Sequence, residues 1–205
     1  MQLNEMQLME DWFAGLGGAS EAFIQDPNWQ VLRYDNNPLL ANVPGMTMLD
    51  LLDVDLEKYR NNMRHPVKLF WASPECKDFS LGYASPRSKA HRAGEDYKPD
   101  MRQLEKCIEY IGIMKPQYYV IENVRGAIKY FKPYLGEPQQ IINGSIFLWG
   151  RFPKIHLPRD YNHTKDKADL WSTDPMRYNA KSLIPFEVSN GLKKAIQEQK
   201  LITNF

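Results

Sequence analysis

Cys76 stands at the end of the segment Ala72-Ser73-Pro74-Glu75-Cys76-Lys77-Asp78-Phe79-Ser80, directly after the apolar run Val67 to Ala72. A buried strand that runs into a proline and then a cysteine delivers the thiol beyond the strand's carboxyl end, where open α/β sheets bind ligands. Lys77 adjoins it, and a nearby cation favours the thiolate, the reactive form. A second apolar run, Tyr118 to Ile121, ends in Glu122-Asn123-Val124 and brings a carboxylate to the same sheet edge. A thiol and a carboxylate on one cleft suit covalent chemistry on an electron-poor ring: the thiol adds and the acid protonates a ring nitrogen. An incidental cysteine and a plain helix-start acid remain the alternatives.

A third strand end carries Asp11-Trp12-Phe13-Ala14-Gly15-Leu16-Gly17-Gly18. Glycines between a strand and a helix let the backbone approach a ligand closely, although a tight turn alone explains them too. Asp35 closes the next strand about 20 residues on, the position from which an acid binds ribose hydroxyls in dinucleotide folds. Asp50, at the end of a third short strand, suits an adenine amino group or, equally, a helix cap before Leu51.

The elements that must hold these residues alternate between strand and helix patterns, which predicts an α/β fold with a mostly parallel sheet. Strands are predicted over Met6 to Phe13, Gln30 to Tyr34, Thr47 to Leu51, Val67 to Ala72, Tyr118 to Ile121 and Ile146 to Trp149. Helices are predicted over Ala19 to Gln25, Pro99 to Met114 and Pro185 to Lys200. In the second helix Met101, Leu104, Cys107, Ile108 and Ile111 share one face, so Cys107 reads as a small core residue. Leu81 to Lys98 and Arg151 to Tyr178 read as long basic loops, the second with interleaved aromatics.

Composition narrows the classes. Hydrophobic residues make up 43% of 205, enough for a packed core, which excludes a disordered chain. No apolar run approaches the ~18 residues that span a membrane, and the acidic N-terminus lacks the basic region of a secretory signal. Two cysteines are too few for a disulfide scaffold, so a reducing cytoplasm is expected. The net charge of +1 means that any nucleic-acid partner must meet local basic patches.

The segments DWFAGLGGAS, YDNNP, SPECKDFS and IENV, in that order, resemble the DNA cytosine-5 methyltransferases, in particular short phage-type members. The resemblance covers about residues 6 to 150 and returns weakly near Ile184-Pro185. It implies a Rossmann-like, S-adenosylmethionine-dependent methyltransferase fold with helices on both faces of the sheet. Phe13, Gly15, Gly17, Gly18 and Pro74 would line the S-adenosylmethionine site, Asp35 would bind its ribose and Asp50 its adenine. Cys76 would attack carbon 6 of a flipped cytosine, Glu122 would protonate ring nitrogen 3, and Asn123 would support the cleft. Ser80, Arg87, Lys89, Arg92 and Arg151 would contact DNA. No metal is implied.

The chain departs from the family pattern in places. Glu75 stands where the family has proline, the late-strand arginines are missing from Ile142 to Phe147 with Arg151 just beyond, and a Gly-Asn pair before the last helix is absent. The expected layout is a catalytic domain over 1–150, a reduced target-recognition region over 151–180, and a helix over 181–205 that packs back on the catalytic domain. Arg159, Lys154, Lys165, Lys167, Tyr161 and Trp171 are the candidate DNA contacts of the recognition region. A catalytically silent DNA-binding or partner subunit, the same chemistry on RNA or a free pyrimidine nucleotide, and a second subunit that supplies recognition remain alternatives.

Overall fold

The computed structural model describes residues 6–162 and 173–202; Lys165, Lys167 and Trp171 lie outside them. The strands are β1 (Gln7–Trp12), β2 (Trp29–Asp35), β3 (Met46–Met48), β4 (Val67–Ala72), β5 (Tyr118–Asn123), β6 (Gln140–Ile142) and β7 (Ile146–Arg151). They form one sheet in the order β3-β2-β1-β4-β5-β7-β6. The first five strands are parallel, and β7 runs antiparallel to both β5 and β6. The helices are α1 (Glu21–Ile24), α2 (Leu56–Asn62), α3 (Pro86–Ala93), α4 (Arg102–Met114), α5 (Ile128–Leu135), α6 (Arg177–Ser182) and α7 (Phe186–Ile202). The predicted α/β class is the observed one.

Alternation along the strands divides the core between the two faces. On one face Trp12, Phe70, Ile121 and Trp149 pack against Leu56, Leu104, Cys107, Tyr110 and Phe131 of α2, α4 and α5. On the other, Met9, Trp71, Val120 and Leu148 pack against Phe23 of α1 and Val188, Leu192 and Ile196 of α7. Helices therefore cover both faces, as a parallel sheet requires.

The interior strand β1 is buried on both faces yet carries two acids, Glu10 and Asp11, both fully buried. Each has its own partners. Glu10 accepts from the Trp12 indole (3.1 Å) and the Tyr59 hydroxyl (2.9 Å). Asp11 accepts from the Ser20 hydroxyl (2.5 Å). Burial pushes both carboxyls up to about 7.

Five elements are absent from the sequence-based expectation: α2, α3, α5, β6 and α6. The turn from β6 to β7 explains one of them. Asn143 and Gly144 both take positive φ, and the Ser145 amide donates to the Ile142 carbonyl (3.1 Å). An Asn-Gly pair supplies this left-handed conformation at low cost. The hairpin makes β7 antiparallel and turns its starting end toward the carboxyl ends of β4 and β5.

Candidate functional site

Strand order reverses at β1, with β2 on one side and β4 on the other, and a crevice opens there beyond the carboxyl ends, as the rule for open sheets requires. Of the residues singled out in the sequence, Phe13, Gly15, Gly18, Asp35, Pro74, Cys76 and Glu122 line this one cleft. They come from four strand ends and lie up to 109 positions apart, from Phe13 to Glu122.

At the β1 end the chain turns sharply. Phe13 has φ 54°, a strained value for a residue with a side chain, and Gly15 has φ 54°. The Gly15 amide donates to one oxygen of Asp35 (3.0 Å) and the Asn37 amide to the other (2.9 Å), so Asp35 fastens the turn while facing the cleft. Beneath it lies Arg33, fully buried. Its guanidinium donates to the Ser20 hydroxyl (2.8 Å) and to the carbonyls of Gly17 (2.9 Å) and Pro44 (2.9 Å), and pairs with Glu21 (3.0 Å). A Cβ on Gly17 would collide with that guanidinium, and one on Gly18 with the Ile184 carbonyl.

At the β4 end, the Asn123 side chain joins two strand ends. Its amide donates to the Pro74 carbonyl (2.9 Å), and its oxygen accepts from the Val124 amide (2.9 Å). Asn123 is fully buried, so it is a positioning residue rather than a cleft group. The Cys76 carbonyl accepts from Phe79 (3.1 Å) and Ser80 (3.0 Å), closing a turn that Phe79 anchors against Phe131 at 5.1 Å. A Cβ on Gly126 would overlap the Phe79 carbonyl, so that glycine lets the cysteine turn rest on the segment after β5. Glu75 is exposed and its carboxylate accepts from the Lys77 amide (3.0 Å), which commits it to local turn geometry.

Several expected contacts lie elsewhere. Asp50 is exposed, does not line the cleft, and caps the short helix Leu51–Asp53 through the Leu52 amide (3.0 Å); it reaches the site only through Asn36 (3.1 Å). Arg151 is at the wrong edge. It pairs with Tyr119, near the start of β5, and donates to the carbonyls of Pro116 (2.6 Å) and Gln117 (3.1 Å), because β7 runs antiparallel and carries it away from the carboxyl ends. Ser80 accepts from the Gly82 amide (3.1 Å) and shapes the loop rather than the cleft.

The predicted loop Leu81 to Lys98 instead contains α3, with Ser85 as N-cap, Pro86 in its first turn and Gly94 at its C-terminus. The Asp78 carboxylate accepts from the Asp100 amide (3.0 Å) and ties the excursion at its base. Arg87 donates to the Gly126 carbonyl (3.0 Å) and lies over the Tyr130 ring, which fastens α3 beside the cysteine turn. Lys89 and Arg92 are exposed on α3.

Sequence reasoning missed the cleft's far wall. Ser145 and Ile146 enter from the β6–β7 hairpin, which Asn143-Gly144 signalled. Gln103 enters from α4, and its side-chain oxygen accepts from the Glu75 amide (2.6 Å). Asn179, Lys181, Ser182, Leu183 and Ile184 form a strap from α6 to α7 across the glycine turn. Apart from the weak resemblance near Ile184-Pro185, no local motif announces that strap, because tertiary packing against Gly18 places it.

Among the described residues no group of acids, histidines and cysteines is arranged to hold a metal ion, and no helix is long and apolar enough to cross a membrane. No family model and no curated protein matches the chain. Among solved structures, it is similar to an E. coli protein encoded within a prophage and described as a DNA modification methyltransferase. Identity is 16% and the TM-score 0.48, over 71% of this chain and 46% of that one. It is also similar to the methyltransferase EhMeth of Entamoeba histolytica, at 15% identity and a TM-score of 0.46, over 71% of this chain and 53% of that one. The chain thus spans about half the length of these solved structures.

Proposed function

We propose that the chain methylates carbon 5 of cytosine in DNA, with S-adenosylmethionine as the methyl donor and Cys76 as a transient covalent nucleophile. The observation that carries this reading is that Cys76 and Glu122 line one cleft that continues to the glycine turn. Neutral cytosine is a poor electrophile. Glu122 gives a proton to ring nitrogen 3 as the Cys76 thiolate adds to carbon 6, and the ring electrons displaced by the new C–S bond make carbon 5 nucleophilic. Once carbon 5 is methylated, a base removes its remaining proton, the 5,6 double bond re-forms and Cys76 leaves as thiolate; Glu122 recovers its proton from nitrogen 3. Asn123 keeps the strand end that bears Cys76 in register with the one that bears Glu122. The target base must leave the stack, because carbon 6 is unreachable inside a duplex.

S-adenosylmethionine would supply the activated methyl group when bound and be left as the neutral thioether S-adenosylhomocysteine. Phe13, Gly15 and Asp35 would hold it. The residues fit: each Asp35 oxygen accepts one amide, which leaves lone pairs for ribose hydroxyls. Gly15 faces open space apart from Asn179, 3.9 Å from a Cβ placed there.

The test is DNA that carries 5-fluorocytosine, as a single strand and as a duplex of the same sequence, each incubated with the chain and S-adenosylmethionine. Fluorine cannot leave as a proton does, so the adduct accumulates and migrates as a protein–DNA band on a denaturing gel. The band should vanish in Cys76→Ser, while Glu122→Gln should slow its formation by ~10²- to 10⁴-fold. Parallel reactions with labelled donor and DNA, RNA or dCMP identify the acceptor. No adduct and no label in DNA would overturn the proposal.

A further inference from the structure

The exposed face of α3 binds no part of the protein core, and its composition suggests what it does bind. None of its eight residues is buried. A helix without an apolar stripe gains little from packing, and while Arg87 fastens its inner edge, the composition of its exposed face calls for another cause. Within those residues it presents Arg87, Lys89, His91 and Arg92 and no acid; Glu95 and Asp96 follow only past the Gly94 cap. Beside these groups stand two large side chains in water, Tyr83 at 79% and Leu81 at 56% exposure. Together Leu81, Tyr83, Arg87, Ser88, His91 and Arg92 border an open depression.

The Arg92 guanidinium lies 3.8 Å from the Tyr83 ring centre and donates to the Tyr83 carbonyl (2.9 Å). The cation backs one face of the ring and fixes it in place, and the exposure of Tyr83 leaves the other face to solvent. A fixed aromatic shelf, backed by a guanidinium and bordered by further cations, is the arrangement that stacks an unstacked base and neutralises the phosphates on either side of it. In a duplex both faces of a base are covered by its neighbours, so the shelf can accept only a base that is not paired and stacked.

We infer that Tyr83 and Arg92 form a base-stacking site for an unpaired polynucleotide strand, separate from the catalytic cleft. This rests on the nucleic-acid reading above and names the strand state of its substrate. Tyr83 is seven residues from Cys76, which limits the separation to about 25 Å along an extended chain. A strand on the shelf can therefore present a nearby base to the cleft without first being melted out of a duplex.

Binding of the full chain, without methyl donor, to fluorescein-labelled 20-nucleotide DNA and RNA strands and to a duplex of the same sequence, read by anisotropy, tests the inference. Single strands should bind more tightly than duplex. Tyr83→Ala should weaken single-strand binding about 5- to 100-fold, the loss of one stacked base, and leave duplex binding within about twofold. Tyr83→Phe, which keeps the ring, should bind as the parent does. DNA and RNA strands should lose alike, because stacking reads the π face rather than the sugar. Single-strand binding unchanged in Tyr83→Ala, as a protein-docking role for this face would give, or an equal loss on duplex, would overturn the site. Failure of the fluorocytosine adduct with a single-strand-specific Tyr83 loss would sink the cytosine chemistry and leave the stacking site standing.

Discussion

Substituting Glu10 by Gln separates the acid's charge from its hydrogen bonds. The Glu10 carboxyl is fully buried and accepts from Trp12 and Tyr59, and Tyr59 in turn meets the Tyr34 hydroxyl at 2.8 Å. Desolvation pushes its pKa from 4.5 up to about 7, against the pull of the hydrogen bonds from Tyr59 and Trp12. The folded value is raised above the unfolded one, so the contribution is complete below pH ~4.5 and is lost as the pH rises through about 7. At about 1.4 kcal/mol per unit, the loss is on the order of 3 kcal/mol between pH 5 and 8. Asp11 acts in the same direction, because burial raises it from 3.8 to about 7. Asp26 and Asp100 are lowered instead and act below pH ~4, outside this window. Glutamine keeps an acceptor for Trp12 and Tyr59 but does not titrate. Urea unfolding followed by tryptophan fluorescence at half-unit steps from pH 5 to 8 should therefore show the parent losing stability with pH and Glu10→Gln losing about half as much. Parallel curves for the two proteins would mean that Glu10 is ionised in the fold and that the desolvation argument fails.

Gly126→Ala should displace the cysteine turn, since the new methyl overlaps the Phe79 carbonyl; about 1–3 kcal/mol of stability and most of the adduct-forming rate should be lost. Gly112→Ala, where a Cβ on α4 meets nothing within 4 Å, is the matched control and should gain about 0.5–1 kcal/mol with the rate unchanged. Arg33→Met strips donors from the buried carbonyl of Gly17 and from Ser20, and should cost about 3–5 kcal/mol in urea unfolding; a loss below about 1 kcal/mol would show that the network is not load-carrying. Cys107→Ala should lower stability by about 1 kcal/mol and leave adduct formation intact, since burial raises this thiol far from its reactive form.

The strand ends were legible in the sequence because they rest on local pattern. VKLFWA is apolar except for Lys68 and is β4 to the residue, and Tyr118 to Ile121 is the start of β5. Helix α4 begins at Arg102, three residues later than the pattern at Pro99 suggested, because the segment before it is tied to Asp78. Other elements carried signals that a reading for apolar runs passes over. Ser85-Pro86 and Gly94 cap α3, and Asp55 caps α2 through the Lys58 amide (3.0 Å). Both helices are short and mostly polar, so periodicity does not find them. The partners of Glu10 could not be read at all: Tyr59 lies 49 positions away, and only the fold brings it there.

The glycine turn shows how a motif that reads as one feature divides by physical cause. In the sequence Gly15, Gly17 and Gly18 are alike, three small residues where a backbone must approach a ligand. In the structure Gly15 alone of the three borders the open cleft without a protein atom inside the reach of a Cβ. Gly17 is small because the Arg33 guanidinium occupies the space, and Gly18 because the Ile184 carbonyl does. Arg33 in turn reaches Ser20 and through it Asp11, while Ile184 belongs to the strap that leads into α7. Ser189 of α7 accepts from the Ala22 amide of α1 (3.0 Å), 167 positions away, which closes the loop of contacts. The turn is thus clamped from below by β2 and from outside by the strap. Its shape does not depend on a ligand to hold it, and Phe13 can keep its strained φ because every neighbour of the turn is fixed. A cleft wall built this way is ready before its ligand arrives, and little ordering entropy is then charged against binding.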